Sequence, residues 1–499
     1  MESIGGLIYG LGIALKPINL IYCFLGVTMG TLVGVLPGLG PSAAISLLIP
    51  TTFHVSPESA FIMLAGIYYG AMYGGSTTSI LVNIPGEAAS VVTCLDGYQM
   101  ARQGRAGPAL GISAFGSFIG GTLSIVGLMV AAPPLASIAL QFGPPEYFSL
   151  MILGLTILSY LSGGSMVKSF MMACLGILLG CVGMDTINGV NRFTYGIPEL
   201  IDGIGIVPVV MGLFGISEVL LNVEQSLKQE VFVKRVKNLL PNWRDWMDSI
   251  GAIIRGSFLG FFLGVLPGGG AIVASFASYA VEKKVSKHPE QFGKGAIAGV
   301  AGPETANNAA TGGAFIPLFT LGIPANAVMA VLLGALMIHG LRTGPLLMKE
   351  APGIFWGTVA SMYVGNIILL ILNLPLIPVW VKILKVPYVF LFPAILIFCL
   401  IGAYSLNNSI VEVVLMVLFG LIGYLFKKFH YEGAPFIMAL ILGPMLEDGL
   451  RQSLILSNGS FGIFVARPLS LGLILISAFL VFSPIFLRKR PTAGLKDND

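Results

Sequence analysis

A chain of 499 residues that is 56% hydrophobic and only 10% charged is not a soluble domain, because soluble domains carry about 25% charged residues. It reads as an integral membrane protein. The net charge of +4 is too small to argue for a nucleic-acid partner.

The chain opens on Glu2 without a basic stretch or an Ala-x-Ala site, so no cleavable signal peptide is expected. Runs free of Asp, Glu, Lys and Arg then recur at 17–57, 106–145, 147–167, 256–281, 305–341 and 351–381. A spanning helix needs roughly 20 such residues, so an all-α polytopic membrane protein with about 10–14 membrane segments, some broken or re-entrant, is predicted. Strands of an outer-membrane barrel would alternate over about 10 residues, and no such alternation is present. The cysteines Cys23, Cys94, Cys174, Cys181 and Cys399 lie in or beside apolar stretches and read as small buried side chains.

The first charge-free run holds Gly34-Val-Leu-Pro-Gly-Leu-Gly40, followed by Pro41 and Ser42. Proline removes a helical hydrogen bond, and glycine permits backbone shapes that other residues cannot adopt. The helix is therefore expected to break at membrane depth. Freed carbonyls could hold a cation, and N–H groups of the restarting helix an anion. Gly38, Gly40 and Ser42 are thus candidate binding residues. A plain kink is the alternative. A nucleotide-binding loop needs Gly-Lys-Ser or Thr after a strand, and no lysine follows here.

Next come Ser76, Thr77, Thr78 and Ser79, then Asn83-Ile-Pro-Gly-Glu87, Asp96 and Arg105-Ala-Gly-Pro108. Hydroxyls and amides suit carboxylate recognition, although any one serine can simply bond back onto its own helix. Ser76, Thr77, Thr78 and Asn83 are candidate substrate contacts. Glu87 is a candidate coupling-ion ligand, since acids at membrane depth are functional by default. Asp96 could equally mark a loop end. Arg105 could pair with a carboxylate, but capping a helix is the simpler reading.

The segment 222–248 is the most polar internal stretch and holds Lys228, Lys234, Arg235, Lys237 and Arg244 with Trp243 and Trp246. It reads as a cytoplasmic linker with an amphipathic surface helix. Beyond it, Gly264-Val-Leu-Pro-Gly-Gly-Gly270 repeats the first glycine motif. Gly268, Gly269 and Gly270 join the candidates, and Gly40→Ala and Gly270→Ala are expected to fold while weakening binding. The stretch 302–326 is the most conspicuous in the chain. It runs Gly-Pro-Glu-Thr-Ala-Asn-Asn308, continues through Thr311, Gly312, Gly313 and Pro317, and ends Gly322-Ile-Pro-Ala-Asn326. A broken helix is expected there, with Asn307, Asn308, Thr311 and Asn326 on substrate and Glu304 on the coupling ion. The tail from 488 is expected in the cytoplasm, after Arg488-Lys-Arg490.

After the glycine motif, Asn83-Ile-Pro-Gly-Glu87 aligns with Gly322-Ile-Pro-Ala-Asn326 and Arg105-Ala-Gly-Pro108 with Arg342-Thr-Gly-Pro345. These landmarks recur in one order, which divides the chain into repeat one (17–221), a linker (222–250), repeat two (251–487) and a tail (488–499). Repeats of this size suggest a secondary transporter with its site where the repeats meet. The loop 51–58 lacks Lys and Arg, whereas 282–294 has Lys283, Lys284, Lys287 and Lys294. Lysine and arginine favour the cytoplasm, so the bias points to an inverted arrangement. No enzyme motif competes: His54, His288, His339 and His430 show no metal spacing, and Gly-x-Ser-x-Gly is absent. A channel or an intramembrane enzyme is the alternative class.

The motifs Gly34-Val-Leu-Pro-Gly-Leu-Gly-Pro41, Tyr68-Tyr-Gly-Ala-Met-Tyr-Gly-Gly-Ser-Thr-Thr-Ser79, Asn83-Ile-Pro-Gly-Glu87 and Gly302-Pro-Glu-Thr-Ala-Asn-Asn308 closely resemble the large membrane subunit (TctA type) of the tripartite tricarboxylate transporter family. The resemblance covers nearly the whole chain. It implies a bacterial inner-membrane permease that is no enzyme and needs no cofactor beyond a coupling Na+ or H+. It also implies a small membrane subunit and a periplasmic substrate-binding protein as partners, with citrate or another carboxylate as cargo.

Overall fold

The computed structural model describes residues 2–36, 40–161, 165–185, 187–225, 236, 238–268, 270–384 and 388–487. Pro37, Gly38, Gly269, the linker residues Lys228, Lys234, Arg235 and Lys237, and the tail from 488 lie outside the described residues. In chain order the helices are α1 (Glu2–Ala14), α2 (Pro17–Val35), α3 (Pro41–Leu48), α4 (Pro57–Val82), α5 (Val91–Arg102), α6 (Ala106–Ala139), α7 (Pro144–Leu161), α8 (Met166–Gly180), α9 (Ile206–Val210) and α10 (Ser217–Gln225). They continue with α11 (Trp243–Val265), α12 (Gly270–Val285), α13 (Ala298–Leu321), α14 (Ala327–Ile338), α15 (Leu347–Glu350), α16 (Pro352–Leu372), α17 (Ile377–Ile383), α18 (Tyr388–Asn407), α19 (Ile410–Lys428), α20 (Gly433–Leu456), α21 (Gly462–Ala466) and α22 (Pro468–Leu487). A two-stranded hairpin, β1 (Gly183–Met184) with β2 (Asn191–Arg192), sits between α8 and α9.

Local sequence explains the helix starts. Ser56 caps α4 by accepting from the Ser59 amide, with Pro57 in the first turn. Asn242 and Asp245 form a reciprocal capping box on α11. The segment 222–248 therefore supplies the end of α10 and the start of α11. Trp246 packs on Phe115, with ring centroids 5.3 Å apart.

Seven helices among the described residues are long and apolar enough to cross a membrane, and five shorter apolar helices accompany them. The chain is an all-α polytopic membrane protein. Two long helices, α4 and α13, are not among the seven, yet nearly every residue of both is buried. A polar helix can stand at membrane depth only when other helices shield it from lipid. So α4 and α13 form the centre of the bundle. The lipid-facing sides lie outside them. On α11, Gly256, Ser257, Gly260 and Gly264 are buried, while Phe258 and Phe262 stand exposed.

Glycine spacing sets how closely these helices meet. A Cβ at Gly26, Gly30 or Gly34 of α2 would lie 2.2–2.4 Å from a carbonyl oxygen of α4. A Cβ at Gly256, Gly260 or Gly264 of α11 would lie 2.2–2.6 Å from a carbonyl oxygen of α13. Only glycine allows such backbone approach. Around these pairs, α6 lies along α13 at Gly116 and Gly120, and Gly365 of α16 makes room for the Tyr69 hydroxyl of α4.

One expectation is corrected here. The helix does not break within 305–321. α13 runs unbroken to Leu321 through Pro303 and Pro317. A proline ring presses on the carbonyl four residues earlier, and that residue is a glycine both times, Gly299 and Gly313. The break is confined to Gly322, which ends α13 in the left-handed region at φ 71°, and the four residues after it.

Charged side chains gather at the two ends of the bundle. At one end Arg105 pairs with Asp245 at 2.5 Å and Arg255 with Glu282 at 2.5 Å. There the fully buried Asp96 carboxylate accepts from the amides of Gly293, Gly295 and Ala296 and from the Tyr279 hydroxyl. At the other end Arg192 pairs with Glu447 at 2.8 Å, Arg451 with Asp185 at 2.8 Å and Arg467 with Glu146 at 3.1 Å.

Candidate functional site

On α13, Glu304, Asn307, Asn308 and Thr311 recur at the spacing that puts side chains on one helix face. All four are at most 3% exposed, which places the stripe in the centre of the bundle. Three neighbouring helices answer it. Ser76 of α4 and Thr93 of α5 each donate a hydroxyl to the Glu304 carboxylate. Asn308 donates to Ser117 of α6 at 2.7 Å and to the Glu304 carbonyl at 3.1 Å.

The loop after α4 supplies the second acid. Asn83 ends that helix with φ 60°, and the chain turns through Pro85 and Gly86 to Glu87. Gly86 lies against the Gly34 carbonyl at the end of α2, and Gly75 leaves space for the Glu87 side chain. One Glu87 oxygen accepts from the Ala89 amide at 2.6 Å, and the other accepts from Asn307 at 3.1 Å. The loop after α13 is built alike. Asn326 caps α14 through the Met329 amide at 3.0 Å and donates to the Tyr68 hydroxyl of α4 at 3.0 Å. The Gly268 amide donates to the Ala325 carbonyl at 2.7 Å, so the broken end of α11 rests on this loop.

Neither Glu87 nor Glu304 belongs to an ion pair; the ion pairs of the described residues use other acids. A buried ionised carboxylate without a cation is costly. Hydroxyl and amide donors offset part of that cost. The Oδ1 atoms of Asn307 and Asn308 are buried and unpartnered. Two buried acids, free amide oxygens and clustered hydroxyls can hold a small cation or a proton.

The sequence compares with known proteins over most of its length. Residues 20–438 match the model of the tripartite tricarboxylate transporter TctA family. The chain belongs to that family. It is 52% identical over 476 residues to an "uncharacterized 52.8 kDa protein in TAR-I ttuC' 3'region" of Agrobacterium vitis, with 95% of each chain covered. It is 50% identical over 242 residues to an "uncharacterized protein in TAR-II ttuC' 3'region" of the same organism, covering 48% of this chain and all of that one. No solved structure matches.

The TctA-family chain places the residues expected from sequence as follows. Ser76, Glu304 and Asn308 are joined by hydrogen bonds, and Asn307 bonds Glu87 on the same helix stripe. Thr311 stands beside the Tyr68 hydroxyl, and the Gly270 backbone lies beside Asn326. Others stand apart. Thr78 donates to the Val35 carbonyl at 2.7 Å and so closes the end of α2. Asn83 is an exposed cap. Gly40 and Ser42 begin α3, and nothing but the Ser42 hydroxyl approaches a Cβ at Gly40. Thr77 lines a small cavity with Ser76 and Ser113. Gly38 and Gly269 lie outside the described residues. Of the other residues at the site, Tyr68 opens one of the family motifs, whereas nothing local in the sequence marks Thr93 or Ser117.

Proposed function

We propose that this chain is the large permease subunit of a secondary transporter that takes up tricarboxylates or related carboxylates with a cation gradient. It works in the bacterial inner membrane with a small membrane subunit and a periplasmic binding protein. The Arg105 end of the bundle faces the cytoplasm, because the basic segment 222–248 opens there.

One observation carries the reading. Matching Asn83-Ile-Pro-Gly-Glu87 to Gly322-Ile-Pro-Ala-Asn326 sets Glu87 opposite Asn326. Counting back along α4 and α13 then sets Tyr68 opposite Asn307. Tyr68 bonds Asn326, and Asn307 bonds Glu87. Each central helix thus reaches the loop that follows the other. The glycine-spaced contacts of α2 on α4 and of α11 on α13 correspond in the same register. This supports two repeats, inverted with respect to each other, that clasp one polar site near the midplane, the arrangement of carriers that alternate access.

Reconstitution tests this. The chain with both partners should take up an organic acid under an imposed Na+ or pH gradient and should exchange labelled for unlabelled acid in counterflow. Little high-affinity uptake is expected without the binding protein. Ion conductance without counterflow would make it a channel, and full uptake without the binding protein would remove that partner from the mechanism.

A further inference from the structure

We infer that a sodium ion binds in the small cavity between α4, α6 and the end of α16, on Asn373, Ser76, Thr77 and Ser113, with the Glu304 carboxylate behind Ser76. The cavity measures about 10 Å³, and its polar lining is Tyr73, Ser76, Thr77, Ser113 and Asn373. That is at the lower limit for one water molecule. Its role in coupling rests on the transport reading; its existence does not.

The lining is short of donors. Asn373 is 5% exposed. Its amide nitrogen donates to the Leu369 carbonyl at 3.0 Å, and its Oδ1 has no partner. Ser76 gives its proton to Glu304, and the Ser113 hydroxyl lies near the same carboxylate. Tyr73 gives its proton to Asn366. Ser76 and Tyr73, having spent their protons, present lone pairs to the cavity beside the unpartnered Asn373 Oδ1. Behind Ser76 stands a buried carboxylate with no cation beside it.

A bound water would supply donors to these oxygens but would leave the Glu304 charge uncompensated. A sodium ion satisfies both needs. A divalent ion asks for more carboxylates than one, and potassium keeps its oxygens farther away than sodium does, which suits so small a space less well. Ser76, Thr77 and Ser113 come from the first repeat, whereas Glu304 and Asn373 come from the second. An ion held here ties the two together, so its occupancy biases how the repeats sit.

Thermal unfolding of the purified full-length chain in NaCl, KCl and choline chloride at equal ionic strength tests the site. Sodium alone should raise the melting temperature, with saturation. Asn373→Leu and Ser113→Ala should each raise the half-saturating sodium concentration by roughly tenfold, the scale of a lost contact to a charged group. Asn373→Asp should keep or lower it, and this separates ligand loss from damage to the fold. Equal half-saturation in wild type and all three variants would overturn the site. So would stabilisation that follows pH and ignores sodium, which would put a proton on Glu304, or no sodium-specific shift at all, which would leave only water. Uptake is measured on the same preparations. Normal uptake without the sodium shift overturns the site and leaves the transporter. A sodium shift that moves with the variants, but no uptake, upholds the site and counts against the transporter.

Discussion

At the scale of single residues, Glu304 is the buried acid that hydroxyls of two other helices answer. Ser76 and Thr93 both donate to it, so Glu304→Gln replaces one acceptor with a donor and leaves one hydroxyl without its partner. The variant should assemble and lose uptake or its dependence on the cation gradient. Uptake across Na+ and pH series, normalised to surface protein, reads this; unchanged ion dependence would make Glu304 structural. Two glycines separate here as well. Gly40 has φ −72°, and among the described residues only the Ser42 hydroxyl, at 3.8 Å, comes within 4 Å of a Cβ there, so Gly40→Ala should reach the membrane in normal amount. Gly270 has φ +47°, a region that costs a side-chain-bearing residue about 1–2 kcal/mol. Gly270→Ala should therefore lower the melting temperature as well as affinity. At the Arg192 end, the Arg451 guanidinium holds the Asp185 carboxyl down from its ordinary 3.8 to about 2. A depressed folded value stabilises above the unfolded value and is lost as pH falls through the folded one. Between about pH 4 and about pH 2, wild type should lose more thermal stability than Asp185→Asn. Parallel curves would show that the pair does not support the hairpin.

At the scale of elements, the stability of the core depends on two helix pairs whose backbones touch. At each close approach a glycine of one helix meets a carbonyl oxygen of the other, and both helices of each pair supply such glycines. Gly260→Ala would place a methyl 2.2 Å from the Ala306 carbonyl. The helices must then separate, at a cost of roughly 1–3 kcal/mol or more. Gly30→Ala meets the Ile67 carbonyl at 2.4 Å and should behave alike. Gly12→Ala, with nothing within 4 Å, is the matched control. Assembled yield and melting temperature should fall for the first two alone. Equal values for all three would mean that the helices yield at little cost. α13 nonetheless runs without a break through Pro303 and Pro317.

At the scale of the whole molecule, the proposed inverted repeat makes a prediction about sides. Loop 51–58 and loop 282–294 should lie on opposite faces of the membrane. Single cysteines placed in each and labelled with an impermeant reagent in spheroplasts read this directly. Labelling of both from one face would end the inverted reading, whatever the transport assays return. The cross-contacts Tyr68–Asn326 and Asn307–Glu87 also imply that the two central helices move against each other's loops. A variant that lacks one contact should therefore change exchange and net uptake by different factors.

The sequence by itself determined the medium, the helical class, the family motifs and some of the places where helices stop, though not the end of α13. Those properties are local: composition sets the solvent, and Pro-Gly clusters act on the residues beside them. The acid and amide stripe of α13 was legible for the same reason, since helical spacing follows from the order of residues. Only the tertiary structure decided which partners answer the stripe. Ser76 and Thr93 meet Glu304 from more than two hundred positions away, and nothing in their neighbourhoods announces it. It also decided that Thr78 closes a helix end, that Asn83 is an exposed cap, and that Asn373 leaves an oxygen without a donor. Burial and pairing are properties of packed surfaces. A hydroxyl that bonds its own helix and one that bonds a distant carboxylate read alike until the helices are brought together.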